Sequence, residues 1–303
     1  MRIGVFDGAI NDGTVDQVVD GARRAEADGF DSFWVSQIFG LDALTALAVV
    51  AREVPRIELG TSVVPTYPRH PMALAQQALT VNSIAEGRLT LGIGLSHQPV
   101  VEGMWGMPFD KPVRHMREYL SAMMPLLDEG SGRFAGKTIT ARGDLSIRDR
   151  RCPGVVVAAL GEQMLRVTAA LADGTLTWCT GPKTLASHTV PTLRSAADAA
   201  GRDATRVIAA LPVCVTDDVA SAQERASVVF AIYGQLPSYR AMLDREGAAG
   251  PADIVIAGSA AECTDRIAAL AEIGVTDFAA VEFSSDPDEA AATRSMLCGL
   301  LGR

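Results

Sequence analysis

The side chains best suited to proton exchange and ligand binding form two clusters within residues 60–97, GTSVVPTYPRHPMALAQQALTVNSIAEGRLTLGIGLSH. Tyr67, Arg69 and His70 follow one apolar, strand-like run, and Ser96, His97 and Gln98 follow the next. Between them, residues 71–86 open with a proline and set Leu74, Ala75, Ala78, Leu79 and Val81 on one face, the pattern of an amphipathic helix. A strand–helix–strand unit of this length is a crossover, so its strands are parallel neighbours. Both polar clusters then lie beyond carboxyl ends of parallel strands, where α/β folds assemble ligand sites. His97 is the best-placed histidine for acid–base work near neutral pH. His70, between Arg69 and Pro71, reads equally as a loop or helix-capping residue.

No Ser-His-Asp, Cys-His or paired-carboxylate pattern stands out, which points to a bound cofactor as the source of the difficult chemistry. The histidines (His70, His97, His115, His188) show no H-x-x-x-H or H-E-x-x-H spacing, so a metal site has no support. Gly92 and Gly94 lack the third glycine of a dinucleotide fingerprint and sit in a strand. They either admit a close backbone approach or leave room for a flat ring. Gly161, Glu162, Gln163 and Met164 follow an apolar run and open a helix. Free N–H groups there suit a phosphate as well as they suit an ordinary βα-turn. Phe39, Tyr67 and Trp178 come at strand ends, as walls of a substrate pocket for a planar ligand or as rim packing. Trp105, Tyr233 and Tyr239 are further wall candidates.

Positioning these residues requires a repeating β/α scaffold. Strands are predicted at 2–6, 32–36, 57–64, 89–94, 154–159, 175–179, 206–214 and 277–283, mostly apolar without alternation, as parallel strands covered on both sides must be. Amphipathic helices fit between them. A local phrase recurs at Ala27-Asp28-Gly29, Ala85-Glu86-Gly87, Ala172-Asp173-Gly174 and Glu272-Ile273-Gly274. In each the glycine is expected to end a helix in the left-handed conformation just before a strand. The alternation predicts a closed (β/α)8 TIM barrel, one domain over residues 1–303. Residues 131–152 and 232–253 interrupt the rhythm after the fourth and seventh strands, as lids, pocket walls or plain surface additions.

The net charge of −9 argues against nucleic acid or an anionic membrane as a partner, and the 48% hydrophobic content is ample for a large core. Five scattered cysteines without a C-x-x-C suit a reducing compartment. The opening MRIGVFDG starts at once as a strand rather than a signal peptide, and no apolar run approaches the ~20 residues of a membrane span. These features lead us to expect a cytoplasmic protein acting on a small-molecule substrate.

Four segments, taken together in order and spacing, resemble the luciferase-like monooxygenase superfamily in its branch of F420-dependent oxidoreductases. They are MRIGVF…GARRAEADGFDSFWVSQIF, Gly60-Thr61-Ser62-Val63, Gly87-Arg88-Leu89-Thr90-Leu91-Gly92-Ile93-Gly94, and Ala170-Leu171-Ala172-Asp173-Gly174 before Trp178. The resemblance implies a bacterial-luciferase-like barrel with an isoalloxazine-like ring at its carboxyl face. It maps a non-proline cis peptide to Ser62-Val63 behind that ring, with Gln37, Thr61 and Gly94 beside it. It assigns the cofactor's phosphate to Leu95, Ser96 and His97 and to Gly161, Glu162, Gln163 and Met164. The implied cofactor is coenzyme F420, with FMN as the alternative, and the implied assembly is a homodimer. Several such dehydrogenases carry an Asp-His pair after the second strand, where this chain reads Gln37-Ile38. Ile38 exchanges no proton, so substrate reduction is expected rather than alcohol oxidation, with His97 as the catalytic candidate. An oxygen-using FMN monooxygenase and a non-catalytic flavin-binding barrel are the competing readings.

Overall fold

The computed structural model describes residues 1–203 and 205–302. Its strands, in chain order, are β1 (Arg2–Asp7), β2 (Ser32–Val35), β3 (Glu58–Thr61), β4 (Val64–Pro65), β5 (Leu89–Gly94), β6 (Ser131–Ala135), β7 (Thr140–Asp144), β8 (Gly154–Val157), β9 (Gly174–Trp178), β10 (Arg206–Val215), β11 (Ile256–Gly258) and β12 (Asp277–Glu282). β1, β2, β3, β5, β8, β9, β10 and β12 pair in parallel in that order, and β12 returns to β1. This is a closed (β/α)8 barrel. β4 continues the third stave beyond a break, and β11 extends the far end of β10.

The sequence explains the closure. β10 is buried along all but its two ends, because helices cover its outer face and other strands' side chains its inner one. Outward residues such as Ile3, Val5, Leu59, Leu91, Val157 and Phe278 pack with the helices in the main core. Inward residues Trp34, Val156, Leu176, Ile208, Ala210 and Ala279 fill the barrel itself. Trp34 is fully buried and its Nε1–H donates to Ser32 Oγ at 2.8 Å. Gly60 is a glycine because a Cβ there would strike the Trp34 ring.

The amino-terminal mouth is closed by charge. Arg206 reaches Glu58 at 3.1 Å, Thr90 Oγ1 at 3.0 Å and Asp277 at 2.6 Å, while Arg2 pairs with Glu58 at 2.6 Å. Side chains from five staves thus seal one end and leave chemistry to the other.

Several expectations need correction. Gly29, Gly87 and Gly274 do take positive φ (89°, 93° and 105°), but Gly174 does not. Gly174 opens β9, and a Cβ on it would collide with the Arg206 carbonyl of the neighbouring strand. A close strand approach, not a helix cap, requires it. Residues 131–152 carry the antiparallel β6–β7 hairpin, which lies against the flank of the helix Pro112–Asp128 rather than over the barrel mouth. Glu118 of that helix holds the hairpin's turn, accepting from Lys137 N (3.0 Å), Thr138 N (2.9 Å), Thr138 Oγ1 (2.8 Å) and Ile139 N (3.2 Å). His70 caps the helix Pro71–Ile84 through Nδ1, and its Nε2–H donates to Thr140 O at 2.9 Å. Among the described residues no helix is long and apolar enough to cross a membrane.

Candidate active site

The site begins where the third stave breaks. The Ser62–Val63 peptide between β3 and β4 is cis. Thr61 is fully buried, and its hydroxyl accepts from Gly92 N at 2.9 Å and donates to Gly92 O at 2.8 Å. The hydroxyl's proton and one lone pair are therefore committed to protein, and Thr61 shapes the bulge rather than reaching into open space. A Cβ on Gly92 would collide with the Thr61 carbonyl, and one on Gly94 would meet Val63 Cγ2 at 2.5 Å and Ala158 Cβ at 3.3 Å. Both glycines thus admit the chain's own bulge.

Two non-glycine residues in the left-handed conformation mark the carboxyl rim: Ser96 after β5 (φ 62°) and Cys179 after β9 (φ 50°). Such backbone is sparsely populated, and it concentrates at active sites and ligand clamps. Leu95, Ser96 and His97 are half-buried along the first of these turns. Burial lowers the proton affinity of His97 below the usual histidine value, so its ring is neutral at pH 7. Its ring centroid lies 5.8 Å from that of Tyr239. From there an aromatic wall continues through Tyr233 (5.0 Å from Tyr239), Trp178 (5.8 Å from Tyr233) and Phe230 (5.5 Å from Trp178). Burial holds the Tyr239 and Cys179 protons on firmly, so the wall carries no charge. Residues 232–253 supply Tyr233 and Tyr239, and Glu246 ties them down by accepting from Lys183 N (3.1 Å) and Thr184 N (2.8 Å). This insertion walls the rim.

Beside the rim lies a basic cradle. Lys111, Pro112, Val113, Arg114, Arg117 and Gln163 line a cavity of about 380 Å³. Two helices start here, Pro112–Asp128 and Glu162–Leu171, and neither has a side-chain cap on its first N–H groups. A Cβ on Gly161 would meet nothing within 4 Å, so the backbone is open to an approaching group. Glu162, the one acid in that first turn, is paired with Arg166 at 2.6 Å. Among the described residues Lys111, Arg114 and Arg117 form no ion pair with a carboxylate. Unpaired cations beside helix starts that lack side-chain caps fit a phosphate.

The remaining expected residues divide. Gln37 uses Oε1 to accept from Ala43 N at 2.8 Å, which leaves only its amide N–H groups for a ligand. Ile38 and Phe39 are exposed on the same loop. Tyr67 is not on the aromatic wall: it stacks on His115 (centroids 4.0 Å apart, planes 3° apart) and on Phe109 (5.4 Å). Burial and the nearby Asp110 and Glu102 raise its phenol to about 12. His115 Nε2 meets Thr66 Oγ1 at 3.0 Å, and burial, partly opposed by Glu118, lowers His115 to about 4. The sequence reading missed Lys111, Arg114 and Arg117; their i, i+3, i+6 spacing at a helix start was the available signal.

Comparison with known proteins shows the family and supports the fold. The family model described as luciferase-like monooxygenase matches residues 1–277. The 5,10-methylenetetrahydromethanopterin reductase of Methanolobus tindarius is 28% identical over 298 residues, covering 86% of this chain and 88% of that one. The coenzyme F420 dependent tetrahydromethanopterin reductase of Methanopyrus kandleri superimposes with a TM-score of 0.82 at 22% identity, over 99% of this chain and 97% of that chain. An FMN-complexed type II Baeyer–Villiger monooxygenase from Pseudomonas putida shares the fold at a TM-score of 0.75 and 19% identity, over 98% and 96%. The chain belongs to the luciferase-like monooxygenase family.

Proposed function

We propose that the protein is an F420-dependent oxidoreductase that reduces a small organic substrate. The observation that carries this reading is the cradle: Lys111, Arg114 and Arg117 line one cavity with Gln163, where two helices without side-chain caps begin, the second just after the open Gly161. Similarity to F420-dependent reductases favours the deazaflavin over FMN as its occupant. When bound, the reduced deazaflavin supplies a hydride from its ring carbon.

The residues of the chain do the rest. The cradle holds the phosphate, so the ring's placement is set from its tail. Val63 backs the ring, supported by Thr61 and Gly92. Trp178, Tyr233 and Tyr239 wall one side without charge and limit water. His97, neutral and half-buried, hydrogen-bonds the substrate atom that gains a proton and passes on a proton taken from water. With Ile38 where related dehydrogenases place an imidazole, no base stands ready to remove an alcohol proton there, which favours reduction.

The test is titration of purified protein with F420 and with FMN, followed by cofactor fluorescence. Micromolar binding of F420, with hydride transfer to an unsaturated or carbonyl acceptor, is the expected result. Binding of FMN alone favours the oxygen-using monooxygenase, to which the FMN-complexed structural relative also points. Binding of either without turnover favours a flavin-binding barrel.

A further inference from the structure

The helix that follows β9 contains one wide turn. Its residues run as α-helix over Pro182–Thr184, as π-helix over Leu185–Thr189, and as α-helix again over Val190–Ala199. Pro191 supplies the cause. It has no N–H for the carbonyl one turn back, and its ring crowds that carbonyl, so the preceding turn opens. Val190 N–H accordingly donates to Leu185 O, five residues earlier.

The wide turn has a consequence for side-chain direction. His188, Thr189 and Val190 are all buried, three consecutive residues in a helix whose opposite face is exposed. His188 Nε2–H donates to the Leu160 carbonyl at 2.9 Å. Leu160 immediately precedes Gly161, the open glycine at the start of the helix Glu162–Leu171. The same wide-turned helix is anchored at its start by Glu246, which belongs to the insertion carrying Tyr239. One helix therefore contacts both the insertion that carries Tyr239 and the turn that leads into the helix Glu162–Leu171.

We propose that His188 is a positioning residue for the anion cradle: its bond to Leu160 O fixes the backbone at Gly161 so that the N–H groups of residues 162–164 converge on the bound phosphate. This rests on the cofactor-phosphate reading of the cradle. His188 touches no ligand. It acts by holding one peptide plane, so its loss weakens the recognition of the phosphate tail and leaves the ring's own contacts intact.

The experiment compares two ligands that share a ring and differ in the tail: coenzyme F420 and its phosphate-free deazaflavin chromophore. Dissociation constants are read from fluorescence for the wild type and for His188→Phe, His188→Asn and His188→Gln. The wild type is expected to bind F420 at least about 30-fold more tightly than the phosphate-free chromophore. His188→Phe is expected to reduce that ratio about fivefold to tenfold by weakening F420 alone. His188→Gln, whose amide N–H reaches as far as Nε2, restores the ratio; His188→Asn is too short and behaves like His188→Phe, which keeps the test available if the Phe variant does not fold. An unchanged ratio in both His188→Phe and His188→Asn overturns the positioning role. Equal weakening of both ligands also overturns it, in favour of general structural damage. A wild type that does not distinguish the two ligands overturns the cradle itself, and the inference with it.

Discussion

The Thr61 hydroxyl and the Gly92 peptide groups exchange two hydrogen bonds, accepting from N–H at 2.9 Å and donating to the carbonyl at 2.8 Å. One side chain thereby replaces the ladder bonds that β3 and β5 lose where the third stave breaks. Thr61→Val keeps the shape and leaves both Gly92 groups buried and unpaired. We expect it to cost about 2–4 kcal/mol in urea denaturation, while Thr61→Ser stays within about 1 kcal/mol of wild type. Full stability in Thr61→Val would show that the backbone holds the break without the hydroxyl.

Much of this site was legible from residues 60–97, and the reasons for the exceptions are physical. Strand ends follow from apolar runs and helix starts from proline and glycine, so each of the eight barrel staves falls within two residues of its expected span. Glycines were harder to read. Gly92, Gly94 and Gly174 each answer to a neighbour distant in sequence, respectively Thr61, Val63 and Arg206, and no local pattern reveals such a collision. The cradle was half-read. Gly161–Met164 announces itself as a helix start, but Lys111, Arg114 and Arg117 reach it only because two helices pack side by side. Tyr67 is a similar case: its stacking on His115, distant in sequence, is set by how the helix Pro112–Asp128 packs and has no local signal.

The contribution of the cradle's cations should fade as salt is added. Arg114→Gln/Arg117→Gln removes two charges that among the described residues have no carboxylate partner, so stability should change little. Affinity for F420 is expected to fall about tenfold or more at low ionic strength, with a much smaller loss at about 0.5 M salt, where the wild-type attraction is itself screened. Retained affinity at low salt would place the phosphate elsewhere.

His115 makes stability depend on pH in a definite direction. Burial lowers its proton affinity to about 4 from the ordinary 6.5. Between those values the unfolded chain holds a proton that the native ring does not. Stability is therefore complete above about pH 6.5 and is lost as the pH falls toward 4. The loss should be about 1–2 kcal/mol, below the full shift because the ring is partly solvated. His115→Phe keeps a ring against Tyr67 and cannot titrate. Its urea midpoints should be lower at neutral pH, where the Thr66 bond is missing, but should decline less steeply on acidification. Parallel decline in both proteins would assign the pH dependence to other groups.

Among the described residues His97 is the only histidine on the aromatic rim, and burial keeps it neutral at pH 7. If the neutral ring is what handles the substrate's proton, kcat/KM should be lost only on the acid side, with a limb below the ordinary histidine value of 6.5. His97→Ala should lower turnover by about tenfold or more while the F420 dissociation constant moves by less than about twofold. The same variant should lose the acid limb. A drop in turnover that keeps the limb would reassign the titration to another group and leave His97 as packing against Tyr239. Unchanged turnover would make solvent the proton source, and the wall of Trp178, Tyr233 and Tyr239 would then have to admit water during the reaction.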